Sequence, residues 1–299
     1  APNCLGDAYK YGNIVFDLFE EWGPDGITPI HPDDMPLRFY VHYGNEFENA
    51  FFSGGAMYFG DGRDRFYPLI SLDVTSHEVA HGFTRQGSNL RYSQQSGGIN
   101  EAFSDLAGEA AEEFYRGQCD WLCGYDIFKD PNCANPWQEK CALRYLMDPP
   151  RDGNSIGRAD DFVPNMNVHY SSGVYNKAWY RLYTQRGWSM QDIFGLASLT
   201  NYYYWGENTN YVEGLCALLA AAEDYFRPLF VALKQNDLQI AFGDMSWEGI
   251  DGPGVFCPTQ QVSSDVVVGS VGGDAAGIGD GENTPDTDAS SNGDQMYYV

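Results

Sequence analysis

Two histidines and a glutamate stand close together in the segment His77–His81, whose sequence is His-Glu-Val-Ala-His. Residues four apart lie on one face of an α-helix, so both imidazoles can reach one ion, and neutral imidazole is a good zinc ligand. Glu78 lies about 100° round the helix from the first histidine, where a carboxylate can serve as a general base for water. The alternative is two histidines on a helix face beside a solvated acid. The chain has only five histidines, so chance is a poor explanation of this pattern.

A third zinc ligand is expected, because a catalytic zinc site combines three protein ligands with one open position. Glu101 follows His81 by twenty residues, near the start of a second predicted helix, and fits this role. Asp105 lies one turn further on the same face, where it can accept a hydrogen bond from a ligand histidine and fix its tautomer. The alternative for both acids is an acidic first turn favoured by the helix dipole.

A second group of carboxylates lies further along the same helix. Glu112 is about 16 Å along the axis from Glu101, at ~1.5 Å per residue, and cannot share the zinc. Glu109 is its neighbour on the helix, and Asp120 follows the helix end. Three converging carboxylates suit an oxygen-only calcium site. The alternative is a charged, solvated helix face.

Four helices are predicted to position these groups. Asp73 is a plausible N-cap of the first, and Gly87 a plausible stop. The predicted helices are Asp73–Gln86, Asn100–Arg116, Ser171–Gly187 and Val212–Phe226.

The chain divides into three regions of different texture. Residues 1–72 combine one predicted helix, Ala8–Trp22, with short β-like segments punctuated by Gly and Asp. Residues 73–257 are dominated by helical periodicity. Residues 258–299 are rich in Gly, Ser, Asp and Thr and contain no Lys or Arg, so we expect a disordered acidic tail.

The charge and length exclude several classes of protein. The 299 residues carry 17 Lys and Arg against 42 Asp and Glu, a net charge of −25, which argues against a nucleic-acid or anionic-membrane surface. The longest near-apolar run, Leu215–Ala222, is far shorter than the ~18 residues of a membrane span. The chain begins with Ala and has no signal-peptide core, which favours a processed form or a fragment.

Seven cysteines are present, and no Cys-x-x-Cys pair suggests a zinc ribbon. Wide spacing in an acidic, tyrosine-rich chain favours the disulfides of a secreted protein. One cysteine must be left over, and Cys4, near the start, is the natural candidate. Four others are crowded together and allow three connectivities: Cys119, Cys123, Cys133 and Cys141.

Several sequence blocks, in this order, resemble the thermolysin-like zinc metallopeptidases, and the vibriolysin and pseudolysin branch most closely. The blocks are Asn49-Ala50-Phe51, Gly60-Asp61-Gly62, His77–His81, Gly97-Gly98-Ile99-Asn100-Glu101-Ala102, Ser104-Asp105, Asp148-Pro149 and Val168-His169-Tyr170-Ser171-Ser172-Gly173-Val174. The resemblance covers most of residues 5–257. It implies an α+β fold of two lobes, an incomplete N-terminal β-rich lobe and a mainly α-helical C-terminal lobe, with zinc in the cleft between them.

The resemblance also assigns roles. It implies an endopeptidase in which zinc, held by the three ligands above, activates a water molecule. Glu78 would take the proton from this water and later deliver it to the leaving amine. Tyr92 and His169 match the two side chains that stabilise the tetrahedral oxyanion; on residue type alone neither would be singled out.

Substrate-binding residues follow from the same resemblance. Asn49 and the Ala50 backbone match the segment that holds an extended substrate as an added edge strand. Arg144 matches the arginine that bonds the carbonyl after the scissile bond. The pocket for the residue after the cut is apolar, which implies Leu, Phe or similar there, and its residues match Phe66, Leu69, Val74, Ile127 and Leu143.

Further properties are implied only by the resemblance. The calcium site would gain the Leu122 carbonyl, and a disulfide would join Cys216 and Cys257. The expected protein is a secreted monomer, made as a zymogen with a propeptide, that acts on protein or peptide substrates.

The sequence departs from the family pattern in two places. Where this branch usually has an Asp two residues before the catalytic histidine, this chain has Asn167, which can orient the imidazole without adding a charge. We therefore expect His169 to have a lower pKa than in relatives and weaker activity on the acid side, unless Asp160 or Asp161 compensates; an Asn167→Asp variant tests this. Several strands that normally precede this point of the N-terminal lobe are also absent, which favours a fragment or another covering segment.

Two other functions compete with this interpretation. A zinc aminopeptidase with the same His-Glu-x-x-His pattern would carry a Gly-x-Met-Glu-Asn motif for the free amine, and this motif is absent. A catalytically silent member or fragment, acting as a binding or structural module, is favoured by Asn167 and the short N-terminus. The intact motif residues argue against it.

Overall fold

The computed structural model describes residues 3–27, 36–129, 141–243, 257 and 297–298. Its α-helices are α1 Cys4–Trp22, α2 Leu72–Gln86, α3 Gln94–Arg116, α4 Val168–Ser171, α5 Gly173–Arg186, α6 Met190–Tyr203, α7 Tyr211–Tyr225 and α8 Pro228–Ala241. Its strands are β1 Phe39–Val41, β2 Ala50–Ser53, β3 Ala56–Phe59, β4 Leu122–Cys123, β5 Arg144–Tyr145 and β6 Tyr297–Tyr298. Among these helices, none is long and apolar enough to cross a membrane.

The larger sheet has the strand order β1-β3-β2-β6 and is mixed, as the α+β prediction requires. β1 runs parallel to β3, whereas β2 and β3 form an antiparallel hairpin. Gly54 and Gly55 close the hairpin with φ of 57° and 75°, a left-handed geometry that favours glycine and matches the strand twist. β6 pairs antiparallel with the outer edge of β2, with Tyr298 opposite Phe51. The remainder of the predicted acidic tail lies outside the described residues.

An aromatic core joins the first helix to the helical lobe. The Phe19 ring of α1 lies 4.9 Å from the Phe83 ring of α2 and 5.0 Å from the Phe194 ring of α6, measured between centroids. Phe83 also stacks on Phe103 of α3 at 5.7 Å. All four side chains are fully buried. This packing fixes one face of α2 and leaves its other face to carry the histidines.

The cap of α2 differs from the prediction. Ser71, and not Asp73, is the N-cap residue. Asp73 is buried inside the first turn, where its carboxylate accepts hydrogen bonds from the Ser71 hydroxyl (2.5 Å) and from the Gly124 N–H (2.6 Å). The prediction was wrong because this side chain turns towards the loop that follows α3.

Helix α3 begins at Gln94, six residues before the predicted start. The prediction began too late because two adjacent glycines, Gly97 and Gly98, lie inside the first two turns. A Cβ added at Gly97 would lie 2.3 Å from Val168 Cγ1, and one at Gly98 would lie 2.6 Å from Ser171 Oγ. These glycines therefore permit the close approach of α3 and α4. A sequence pattern read locally suggests a loop at such a pair, whereas tertiary packing makes it helical.

The other predicted helices are confirmed with small shifts. α1 begins at Cys4, after the Asn3 side chain accepts a hydrogen bond from the Gly6 N–H. The helix predicted to end near Gly187 is divided into α4 and α5 by Ser172, and Gly187 ends it with φ of 69°. α7 is displaced from its predicted range by one residue at each end.

The cysteines only partly match the expectation. Cys216 and Cys257 form the disulfide that the resemblance implied. Cys141 is also disulfide-bonded, while Cys133 lies outside the described residues. Cys4, Cys119 and Cys123 are free thiols, so the expectation of one unpaired cysteine was too low.

We predict that Gly97→Ala lowers the free energy of unfolding by about 1–3 kcal/mol, because the added methyl group overpacks the contact of α3 with α4. Urea denaturation followed by circular dichroism measures the change. Gly206→Ala is the matched control, since a Cβ there meets nothing within 4 Å. Equal stability of the two variants would contradict the proposed packing constraint.

Candidate functional site

Three buried donors from two helices converge at one point of the structure. His77 and His81 come from α2, and their Nε2 atoms lie 3.1 Å apart. Glu101 comes from α3; its Oε2 lies 3.5 Å from His77 Nε2 and its Oε1 lies 3.4 Å from His81 Nε2. The three predicted zinc ligands therefore meet as expected, although Glu101 is twenty residues beyond His81 in sequence.

The electrostatics of this cluster fit a bound cation. Burial lowers the pKa of His77, and burial and the neighbouring histidine hold the pKa of His81 well below its usual range. Both rings are therefore neutral and offer a lone pair. Burial raises the pKa of Glu101 to about 8, and its Oε2 has no hydrogen-bond partner among the described residues. Two imidazoles and a carboxylate that face one another in this way are the donor set of a zinc site.

The outer nitrogen of each histidine is held by a neighbour, which turns Nε2 towards the common centre. His77 Nδ1 lies 2.9 Å from Asp105 Oδ1, as predicted. His81 Nδ1 lies 2.9 Å from Asn100 Oδ1 and 3.1 Å from Ser104 Oγ. No separate sequence signal pointed to these last two contacts. Such outer partners fix the tautomer and orientation of ligand histidines.

Asp105 carries a full negative charge although it is buried. Burial alone would raise its pKa, but the Arg144 guanidinium and the hydrogen bond from His77 more than offset this and hold the pKa well below its usual range. Arg144 donates to the carboxylate twice, from Nε to Oδ2 at 2.8 Å and from Nη2 to Oδ1 at 2.6 Å. This bidentate geometry is the strong form of a charge-assisted hydrogen bond.

Glu78 is fully buried beside the three donors. Burial, and then the nearby Glu101, raise its pKa well above the ordinary value. The backbone N–H of Phe52, on β2, partly offsets this rise. A carboxylate with a raised pKa is a stronger proton acceptor, which suits the predicted role of general base.

Two predicted side chains reach the cluster from separate segments. The Tyr92 hydroxyl donates to Glu101 Oε1 at 2.5 Å and lies 3.1 Å from His169 Nε2. Asn167 Oδ1 lies 2.9 Å from His169 Nδ1 and also accepts from its backbone N–H at 3.0 Å. Asn167 therefore orients the imidazole, as expected. Asp160 pairs with Arg158.

Arg144 is buried. It lies on β5, opposite Cys123 on β4. Its Nη2 lies 3.2 Å from the Cys123 sulfur and 3.9 Å from Glu101 Oε2. Sequence reasoning missed Cys123, because its meaning arises only from this strand pairing.

The remaining predicted substrate residues come from several segments, with Ala50 beginning β2 and Val74 in the first turn of α2. Asn49 Oδ1 accepts a hydrogen bond from the Ala50 N–H at 3.0 Å, at the start of β2. The predicted pocket residues belong to one apolar cluster, in which four are buried and Leu143 is half-buried: Phe66, Leu69, Val74, Ile127 and Leu143.

The second carboxylate cluster also forms. Ligand oxygens of Glu109, Glu112 and Asp120 lie within 4.8 Å of one another. Burial raises the pKa of Glu109 well above its usual range, that of Glu112 to about 9 and that of Asp120 to about 6. Asp73 contributes to all three shifts, a neighbour that the sequence reading had placed only as a cap. Mutual repulsion among buried acids fits an oxygen-ligated cation such as calcium.

Leu122 adjoins this cluster, since its N–H donates to Asp120 Oδ1 at 2.8 Å. The Trp121 N–H donates to Glu109 Oε2 at 2.7 Å. The loop after α3 therefore folds back onto the acids of the helix.

Comparisons with known proteins agree with this geometry. Residues 3–85 match the family model described as thermolysin metallopeptidase, catalytic domain. Residues 88–242 match the model described as thermolysin metallopeptidase, alpha-helical domain.

Individual relatives are bacterial proteases. A neutral protease of Vibrio proteolyticus is 46% identical over 224 residues, which cover 75% of this chain and 34% of the relative. A virulence metalloprotease of Vibrio anguillarum is 41% identical over 263 residues, 88% of this chain and 39% of the relative. The chain thus spans little more than a third of these proteins' length.

A solved structure is also similar. The precursor of protealysin, a metalloproteinase from Serratia proteamaculans, superposes with a TM-score of 0.70 at 26% identity, covering 82% of this chain and 80% of that one. The two family models together match well over half of the residues, in the order that the two lobes follow along the chain. The chain belongs to the thermolysin metallopeptidase family.

Proposed function

We propose that this chain is a zinc-dependent endopeptidase that cleaves peptide bonds on the amino side of bulky hydrophobic residues. The observation that carries the proposal is the convergence of His77, His81 and Glu101, all buried, beside the buried carboxylate of Glu78. A structural ion site has no need of an unligated base at its side. Membership of the family indicates the reaction class, and these four residues would provide the metal ligands and the general base.

The three ligand residues would hold zinc, which when bound supplies Lewis-acid polarisation of the scissile carbonyl and of the attacking water. Glu78 accepts the proton of that water and delivers it to the leaving nitrogen, since its buried carboxylate has a raised proton affinity. Tyr92 and His169 donate hydrogen bonds to the developing oxyanion. Their mutual contact of 3.1 Å holds the two donors on the same side of the cluster.

The substrate would lie along the outer edge of β2. Two features support this: the Phe52 N–H on β2 is near the Glu78 carboxylate, and this edge accepts an antiparallel strand, since β6 pairs with it at Phe51 and Phe52. A substrate strand would take the place of β6 there. Main-chain bonds to an edge strand give affinity without side-chain selectivity. Asn49 and Ala50 would extend the edge, and Arg144 would bond the carbonyl after the cut.

Selectivity would come from the apolar cluster under the cleft. Its large members are Phe66 and Ile127, and Leu143 is the member that remains half-buried. An apolar pocket favours Leu or Phe as the residue after the cut, which supplies the nitrogen of the cut bond.

We further propose that calcium binds at Glu109, Glu112 and Asp120, with Asp73 close by and the Leu122 carbonyl as a further ligand. Secretion and synthesis with a propeptide complete the proposal. The Cys216–Cys257 disulfide favours an oxidising compartment. The similar solved structure is that of a precursor. We expect the protein to act as a monomer.

The first test is hydrolysis of an internally quenched peptide with Leu or Phe after the cut. Glu78→Gln should lower kcat by about 10²–10⁴-fold while zinc remains bound, because the amide keeps the shape and loses the base. A zinc chelator should abolish cleavage by the unaltered protein. If Glu78→Gln cleaved as fast as the unaltered protein, Glu78 would not be the base. If the unaltered protein bound one zinc and cleaved nothing, the silent-module reading would replace the proposed activity.

The second test concerns calcium and pH. The folded pKa values of Glu112 and Asp120 lie above their ordinary values, so without a cation the folded state binds more protons than the unfolded state. Stability in a calcium chelator should therefore be present at about pH 5 and decline as the pH rises towards 9. Calcium at 100 times its dissociation constant should restore about 2.7 kcal/mol.

Thermal melts across this pH range, with calcium and with chelator, measure the effect. Glu112→Gln should remove most of the calcium response. Glu113→Gln, on the same helix but outside the cluster, is the control and should keep it. Melts of the unaltered protein that do not respond to calcium at any pH would rule out the site.

A further inference from the structure

Asn176, on α5, contacts Asp105, the carboxylate that holds the predicted zinc ligand His77. Asn176 is 1% exposed. Its Nδ2 lies 2.8 Å from Asp105 Oδ2 and 3.3 Å from Ser172 Oγ. No motif in the sequence singles it out, and the mechanism proposed above does not use it.

The contact completes the ring of donors around Asp105. Oδ1 of Asp105 faces His77 Nδ1 and accepts from Arg144 Nη2, while Oδ2 accepts from Arg144 Nε and from Asn176 Nδ2. A buried carboxylate keeps its charge and its orientation only when its lone pairs are satisfied. His77 and Asn176 are the neutral members of this set, and Asn176 ties Asp105 to α5.

The orientation of the Asn176 amide is set by this contact. An ionised carboxylate accepts hydrogen bonds and cannot donate them, so the NH₂ group must face Asp105. Oδ1 of Asn176 is left buried without a hydrogen-bond partner among the described residues. An unsatisfied buried acceptor costs free energy that an apolar side chain would avoid. The asparagine therefore makes the Asp105 contact at the cost of leaving its own Oδ1 buried and unsatisfied, which an apolar residue would avoid.

The same amide also reaches the catalytic histidine segment. Ser172, its second contact, donates from Oγ to the His169 backbone carbonyl at 2.7 Å. One side chain thus connects the support of His77 with the backbone of His169.

We propose that Asn176 is a positioning residue that holds Asp105, and through it His77 and Arg144, in register with the His169 segment. The inference rests on the proposed zinc site, but its first readout is zinc binding and not catalysis. Without the amide, the Asp105 carboxylate is less well oriented. It then holds the His77 tautomer and the Arg144 guanidinium less firmly.

The experiment measures the zinc dissociation constant of the full chain by competition with a chromophoric chelator, for the unaltered protein, Asn176→Ala and Asn176→Leu. Both variants delete the amide, and the leucine keeps most of its volume. Zinc affinity should fall about tenfold in both, the lower end of the effect expected for outer-shell partners of metal ligands.

Asn201→Ala is the matched control. Asn201 is equally buried, on α6, and its amide donates to Thr84 Oγ1 at 2.8 Å, away from Asp105. Its loss should lower stability and leave zinc affinity unchanged. Equal zinc affinities in Asn176→Ala and the unaltered protein, or an equal loss in Asn201→Ala, would overturn the proposal.

A double-mutant cycle with Asp105→Ala shows whether the effect passes through that carboxylate. If it does, Asn176→Ala causes no further loss of zinc affinity in the Asp105→Ala background. An undiminished tenfold loss there would refute the proposed route. If Asn176→Ala does not fold, Asn176→Leu carries the same comparison.

Peptide hydrolysis at saturating zinc gives the second readout. We expect KM to rise several-fold in Asn176→Ala, since Arg144 would be less well held for the substrate carbonyl. Zinc binding that weakens as expected in a protein without hydrolytic activity would retain the positioning role and reject only the endopeptidase. Hydrolysis by the unaltered protein with unchanged zinc affinity in the variants would do the reverse.

Discussion

Helices α2 and α3 bury several carboxyl groups between them, and the surrounding segments supply the groups that offset the cost of burying them. Glu78, Glu101, Asp105, Glu109 and Glu112 are all almost inaccessible to solvent. A buried carboxylate must be paired, protonated or bound to a cation. Along this pair of helices Asp105 is paired and Glu78 has a raised proton affinity, while Glu101 and the cluster of Glu109, Glu112 and Asp120 are where we propose bound cations.

Pairing dominates around Asp105. Arg144 is delivered by a short strand that pairs with β4, and Asn176 by α5, so two distant segments converge on one carboxylate. Its charge in turn orients His77. Proton affinity dominates at Glu78, where burial and the Glu101 charge raise the pKa and the Arg144 charge offsets only part of the rise. Burial destabilises the ionised form of Glu78 and thereby raises its proton affinity, which is the property a general base needs.

Close packing makes these contacts possible. Gly97 and Gly98 let α3 approach α4, which carries His169, within a distance that any side chain would prevent. The aromatic rings of Phe19, Phe83 and Phe103 hold α2 against α1 and α3. A metal site requires ligand positions within a few tenths of an ångström, and interiors packed at this density deform little.

The sequence by itself determined the type of chemistry. Histidines four apart on a helix, a glutamate between them and a further acid after twenty residues specify zinc, because helix geometry is local and regular. The same regularity placed Glu109 and Glu112 together and separated them from Glu101. Only the tertiary structure decided which other residues serve these groups. The roles of Asp73, Asn100, Cys123 and Asn176 depend on contacts between segments distant in sequence, and the two glycines at the start of α3 were misread for the same reason. Hydrogen bonds and steric contacts act over a few ångströms in space, whereas a sequence pattern records only distance along the chain.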